Sequence, residues 1–141
     1  MEDLKFSLIN ELGIAKDNEE LKSSLNNQFT GETAEVGLYL AMARVAQRSG
    51  YAEAAEVLKV IAWEEAEHAA QYAELTGKIS DCTKTNITKM MNGEVGANKT
   101  KAELAAKAKA AGIEELYTFI DGAARDEARH ASMLQGLLKS L

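Results

Sequence analysis

The chain has no proline and a single cysteine in 141 residues. The first absence removes the strongest breaker of a helix interior. The second rules out an internal disulfide and any paired-cysteine iron or zinc knuckle, and leaves Cys82 as a loop or helix-start thiol. Basic runs are also missing: no lysine or arginine cluster stands clear of acidic neighbours, and the formal net charge is -6. That balance argues against a nucleic-acid partner. The opening "MEDLKFSLINELG" mixes acids into its apolar positions and contains no sustained apolar run, so it reads as neither a signal peptide nor a membrane span. A cytoplasmic protein without a membrane partner is expected.

Abundant alanine, with glycines spaced far apart, points to an all-α chain of long helices joined by short turns. At this length one domain buries roughly two-thirds of the surface exposed by its unfolded chain, enough to fold without staples. Residues 1–21 read as an amphipathic N-terminal segment (Leu4, Leu8, Leu12), a short extra helix broken at Gly13. The first long helix is expected from Asp17, an N-cap with Glu20 at the capping-box position, to Ser49. The second covers 51 to 76 and stops at Gly77. After the polar "GKISDCTKTN", a third helix begins near Thr83 or near Ile87 and ends at Gly112. The fourth covers about 113 to 139.

A shift of 62 positions, from His68 to His130, lays the second half over the first. Gly31-Glu32 then falls on Gly93-Glu94, Gly50 on Gly112, Glu53 on Glu115, Glu65-Ala66 on Glu127-Ala128, and Leu75 on Leu137. The unit is a helical hairpin used twice, so residues 22–141 read as a four-helix bundle. Both histidines follow a glutamate by three positions. With 17 glutamates in 141 residues, chance would produce that in about 1 to 2% of cases. In each copy another glutamate, Glu32 or Glu94, lies 33 residues before the glutamate of the Glu-x-x-His.

Residues three apart on a helix have Cβ atoms about 5 to 6 Å apart, so Glu65 and His68 can reach one ion, and Glu127 and His130 another. These groups fall on apolar stripes. They are Leu25, Phe29, Glu32, Val36, Tyr39, Ala43 and Ala46 in the first helix, and Ala54, Leu58, Ile61, Glu65, His68, Tyr72 and Leu75 in the second. The third has Ile87, Met91, Glu94, Ala97 or Asn98, Lys101, Leu104 and Ala108, and the fourth Leu116, Ile120, Ala123, Glu127, His130, Leu134 and Leu137. Four carboxylates on a core face repel one another unless cations sit among them. Two divalent ions balance four glutamates, and oxygen and imidazole donors without thiolates suit iron or manganese better than structural zinc. One glutamate from each of two helices and a Glu-x-x-His from each of the others is the ligand pattern of carboxylate-bridged dinuclear bundles.

With those residues in view the chain resembles the rubrerythrin family of the ferritin-like superfamily. "GETAEVGLYLAMARVAQRSGY" is similar to that family's first-helix motif, and both Glu-x-x-His helices match it. The resemblance implies a ferritin-like di-iron four-helix bundle in which Glu65 and Glu127 bridge the metals, Glu32 and His68 serve one, and Glu94 and His130 the other. Two irons are implied, with manganese or a mixed centre as alternatives. It also implies that Tyr39 hydrogen-bonds a ligand carboxylate. The implied reaction is reduction of hydrogen peroxide. Ferroxidase or iron-handling chemistry with dioxygen, manganese catalase-like disproportionation and a purely structural or metal-buffering bundle compete with it.

Two departures qualify the resemblance. Many members carry a rubredoxin-like domain with two paired-cysteine motifs, which one cysteine cannot supply, so electrons are expected from an external rubredoxin-like donor or flavoprotein reductase. The family's extra carboxylate, three residues after the third-helix glutamate, is Ala97 here, whereas the repeat-related position in the first helix is Glu35. Oxidation of both irons would raise the metal charge from about +4 to about +6 and favour a fifth carboxylate. Glu35 is therefore expected to join the metal of Glu94 and His130 in the oxidised state, in competition with His130, and Glu35 or Tyr39 to help deliver protons. Lys101, at the position related to Tyr39, is expected to snorkel outward. Finally, six linker residues span at most about 24 Å. A return along the bundle from the second helix to a third beginning near Thr83 needs about 28 Å, so a homodimer is expected, domain-swapped between helices 2 and 3 unless helix 3 starts later.

Overall fold

The computed structural model describes residues 11–141. Among the described residues four helices follow one another: α1 Glu19–Arg48, α2 Ala52–Leu75, α3 Thr83–Ala110 and α4 Glu114–Ser140. No strand occurs among the described residues. The chain divides after Asp81 into two compact units, each a helical hairpin, with α1 packed on α2 and α3 on α4. The repeated unit read from the sequence is therefore the structural unit.

The hairpin turns are alike for a backbone reason. Tyr51 N–H donates to Ala46 O at 2.9 Å and Ile113 N–H to Ala108 O at 3.1 Å, each bond reaching back five residues across a glycine. Gly50 and Gly112 take φ values of 84° and 71°, the left-handed conformation that closes such a turn and that side chains disfavour. The end of α2 repeats the device, with Lys78 N–H on Ala73 O at 2.9 Å and Gly77 at φ 72°.

Helix ends differ from the expected ones by a residue or two, with one informative case. Asn18, not Asp17, caps α1: its Oδ1 accepts from Leu21 N–H at 3.1 Å. Either residue makes a good cap, but moving the register by one puts Leu21 three residues after the cap, and Glu20 has no capping box to close. Leu4 and Leu8 lie outside the described residues. The chain after them straps the first hairpin: Gly13 N–H donates to Glu74 O at 2.7 Å and Ala15 N–H to Leu75 O at 3.0 Å. Two carbonyls at the end of α2, which have no partner within the helix, are satisfied this way.

Alanine forms the seams. Ala43 on α1 and Ala55, Ala62, Ala69 and Ala73 on α2 are the buried residues of the first hairpin's helices, and Ala105, Ala108, Ile120 and Ala124 those of the second. Spacings of seven along α2 keep the small side chains on one line, which lets the partner helix come close. The larger stripe residues of α1, together with Leu58, Ile61, Tyr72 and Leu75 of α2, are half-buried beside that seam. Five expected stripe positions are corrected: Ala54, Leu104, Leu116 and Leu137 are exposed, and so is His68, whose neighbour Ala69 is buried. Ala55, Ala105, Tyr117 and Leu138 take the places of the first four, because a straight helix drifts off a strict heptad. In the second hairpin Asn98 Nδ2 donates to Ala124 O at 2.6 Å, tying α3 to α4.

A Cβ added at Gly77 would meet Gly13 Cα at 3.5 Å and Lys16 Cβ at 3.8 Å, ordinary contacts, so the cost of substitution lies in the positive φ. Gly77→Ala should cost about 1 kcal/mol and lower the midpoint of thermal unfolding by about 3 °C, followed by circular dichroism.

Candidate metal centre

Each hairpin gathers one triad. In the first, Glu32 of α1 faces Glu65 and His68 of α2; in the second, Glu94 of α3 faces Glu127 and His130 of α4. Within each triad one donor atom per residue lies within 4.8 Å of the others. His68 Nδ1 is 3.1 Å from Glu65 Oε2 and 3.5 Å from Glu32 Oε2. His130 Nδ1 is 3.4 Å from Glu94 Oε2 and 3.7 Å from Glu127 Oε2. In both hairpins Nδ1 is the nitrogen turned to the carboxylates. All six residues singled out in the sequence are brought together in threes, and the helical spacing of three within each Glu-x-x-His is what aligns the pairs.

The same atom is left unsatisfied in each triad. Glu32 Oε2 and its repeat counterpart Glu94 Oε2 are buried without a hydrogen-bond donor, since the histidine nitrogens approach too loosely to serve. A buried acceptor without a partner is costly, and either a proton shared with the facing glutamate or a cation held between the two glutamates and the imidazole would satisfy it. The donor set of carboxylate oxygens and imidazole nitrogens fits iron or manganese.

Electrostatics tell the same story. The neighbouring Glu65 carboxyl is the main reason that Glu32 sits above the ordinary carboxylate range, with burial adding to it and His68 opposing. Glu65 is correspondingly lowered by its contacts with Glu32 and then His68. Glu94 is raised in the same way, first by Glu127 and then by burial. Glu127 is pulled down to about 2, by Glu94 first and Lys101 second. His68 is raised, chiefly by its hydrogen bond to Glu65. Each carboxylate pair thus retains a proton where an isolated carboxyl would release it.

Lys101 is the residue that sequence reasoning misplaced. Its Nζ does not run out to solvent but lies 2.6 Å from Glu127 Oε1. The signal was present: Lys101 follows Glu94 by seven positions, two turns along the same face, and its four-carbon stem can reach across to α4. Tyr39, its counterpart, is half-buried on α1, and among the described residues it donates no hydrogen bond to Glu32 or Glu65. Glu35, one turn after Glu32, is exposed. Beside the first triad a groove of about 270 Å³ is lined by Glu32, His68, Gln71, Tyr72 and Leu75.

Two helical hairpins, each carrying two glutamates and a histidine in a repeated pattern, are the mark of an all-α protein whose carboxylate and imidazole donors could hold metal. A family model described as Rubrerythrin matches residues 23–90, a span that holds Glu32, Glu65 and His68. Reverse rubrerythrin-1 of Clostridium acetobutylicum is 46% identical over 130 residues, covering 91% of this chain and 72% of that protein. An uncharacterized protein of Methanocaldococcus jannaschii is 53% identical over 137 residues, 96% of each chain. The chain belongs to the rubrerythrin family. Its fold is accordingly the family's ferritin-like four-helix bundle. The family comprises iron-binding oxidoreductases that act in oxidative-stress defence, with peroxide as the kind of substrate and a redox protein as the kind of partner. Among the described residues no helix is long and apolar enough to cross a membrane.

Metal ligands must be deprotonated to bind. Because Glu32, Glu94 and His68 are shifted upward, the metal-free protein holds protons on them to higher pH than isolated groups would. Affinity should therefore climb as pH rises through those values and fall on acidification. Anaerobic titration with ferrous iron should show binding weakened by about tenfold or more between pH 7.5 and pH 5.5. Calorimetry in buffers of different ionisation enthalpy should show net proton release.

Proposed function

We propose that the two triads hold a di-iron centre and that the protein reduces hydrogen peroxide to water with electrons from an external rubredoxin-like or flavoprotein donor. The observation that carries this reading is the repeated triad with the same orphaned glutamate oxygen in both copies. Glu32 and His68 are assigned to one iron, Glu94 and His130 to the other, and Glu65 and Glu127 to both as bridging carboxylates. When bound, the two ferrous ions supply one electron each, which with two protons converts peroxide to two waters.

The chain's own residues provide the setting. Four carboxylates neutralise the charge of two divalent ions, and the alanine seams hold each facing pair at a fixed separation. Glu35, exposed one turn from Glu32, is proposed as the carboxylate that joins the second iron in the oxidised state in competition with His130, and as a proton carrier toward the site. Tyr39 is proposed as its half-buried partner in proton delivery. Glu35 lying in solvent in both oxidised and reduced crystals would remove it from this role.

Stopped-flow mixing of the diferrous protein with peroxide, and separately with dioxygen, tests the reaction. Oxidation should be faster with peroxide by about tenfold or more, and a reduced rubredoxin-like donor should restore the ferrous state. Faster reaction with dioxygen and ferric release would indicate ferroxidase chemistry instead. Dioxygen evolution by a manganese-loaded sample without any donor would indicate disproportionation.

The assembly proposed is a homodimer that exchanges its second hairpins. Helix rise from the level of Glu65 and His68 to Leu75, and from Thr83 to Glu94, comes to about 28 Å. The seven residues between α2 and α3 make eight steps from Leu75 to Thr83, about 28 Å when fully extended, but their first turn is folded back by the bonds of Thr76 N–H to Tyr72 O and Lys78 N–H to Ala73 O, which shortens the reach below that. Inserting about eight residues between Lys78 and Thr83 should convert a swapped dimer into monomers or unswapped dimers, read by light scattering. A wild-type protein that is monomeric with a full complement of two metals would overturn the exchange.

A further inference from the structure

The two triads are related by the repeat, yet their surroundings carry different charge. Where the first hairpin has Tyr39, the second has Lys101, and its ammonium lies 2.6 Å from Glu127 Oε1. The contact coincides with a difference in the triads themselves. Glu65 Oε2, with no lysine paired to it among the described residues, lies 3.1 Å from His68 Nδ1, whereas Glu127 Oε2 stands 3.7 Å from His130 Nδ1. Glu127 is therefore held on one oxygen by the lysine and loosely on the other by the imidazole. Its side chain is 17% exposed and that of Lys101 36% exposed, so the pair is partly shielded from solvent without being sealed from it.

We propose that Lys101 makes the second hairpin the weaker metal-binding half: its ammonium occupies Glu127 in the metal-free protein, so that the Glu32, Glu65 and His68 triad binds first and the Glu94, Glu127 and His130 triad binds only as Glu127 is drawn off Lys101. The inference rests on the metal-centre reading of the proposed function. Its physical basis is competition for one carboxylate between two cations, joined by repulsion of the incoming ion by a fixed positive charge. Tyr39 has no charge with which to do this at the related position. Lys101 acts through Glu127 and is a positioning residue. The consequence is an order of loading, and a form with one metal bound that accumulates when metal is scarce.

The test is an anaerobic calorimetric titration of the full-length metal-free protein with ferrous iron, repeated with cobalt(II) to follow each step by its visible absorption. Wild type should bind in two steps whose dissociation constants differ by about tenfold or more. His68→Ala should abolish the tighter step and His130→Ala the weaker one. In Lys101→Met, of similar length without the charge, the weaker step should tighten by about tenfold and approach the first. Lys101→Arg, which keeps the charge, should restore the separation, and circular dichroism of all four variants reports folding. If Lys101→Met folds and leaves the second step where it is in wild type, or if His68→Ala spares the tighter step, the inference fails. Absence of any binding by the wild type would instead overturn the metal-centre reading, a separate outcome.

Discussion

The rest of this molecule depends on two glutamates forced together inside a helical hairpin. Glu32 and Glu65 meet because α1 and α2 pack through alanines, which bring the backbones close. Glu94 and Glu127 meet for the same reason across α3 and α4. Two carboxylates so placed must share a proton or enclose a cation, and the raised Glu32 and Glu94 set against the lowered Glu65 and Glu127 are that constraint in electrostatic terms. A histidine one turn along α2 or α4 turns each repelling pair into a three-donor pocket.

Duplication explains why the two hairpins carry like triads, and local divergence explains why the surroundings of those triads differ. The triad residues themselves repeat without change through the 62-residue shift, as do the glycines that close the hairpins. What differs is the neighbour two turns along from the first-helix glutamate, an aromatic alcohol in one hairpin and an ammonium in the other. The triad residues stay the same while the charge beside Glu127 changes, and the distance from the glutamate to its histidine differs with it.

The hairpins are held in register by backbone more than by large side chains. Among the described residues no large side chain is fully buried, and the interhelical turns rely on glycines in the left-handed region with bonds reaching back five residues. The strap from Gly13 to Ala15 adds to this by covering the last carbonyls of α2. Glu65 and His68 lie on that helix, so order at its C-terminal end supports the triad two to three turns away.

The helices, their turns and the grouping of Glu32, Glu65 and His68 and of Glu94, Glu127 and His130 into two triads were all legible in the sequence, because each follows from short-range geometry: glycine at a turn, three residues between glutamate and histidine, and a repeat that shows which glutamates correspond. The cap at Asn18 and the passage of the seam through Ala55, Ala105, Tyr117 and Leu138 were not, because neighbouring residues of similar propensity compete and packing alone selects among them. Lys101 was equally hidden. Its position on the helix face was determined by the sequence, but whether a long flexible side chain turns to solvent or to a carboxylate depends on what the facing helix presents. Only the tertiary structure decided that, by setting Glu127 within reach of its ammonium.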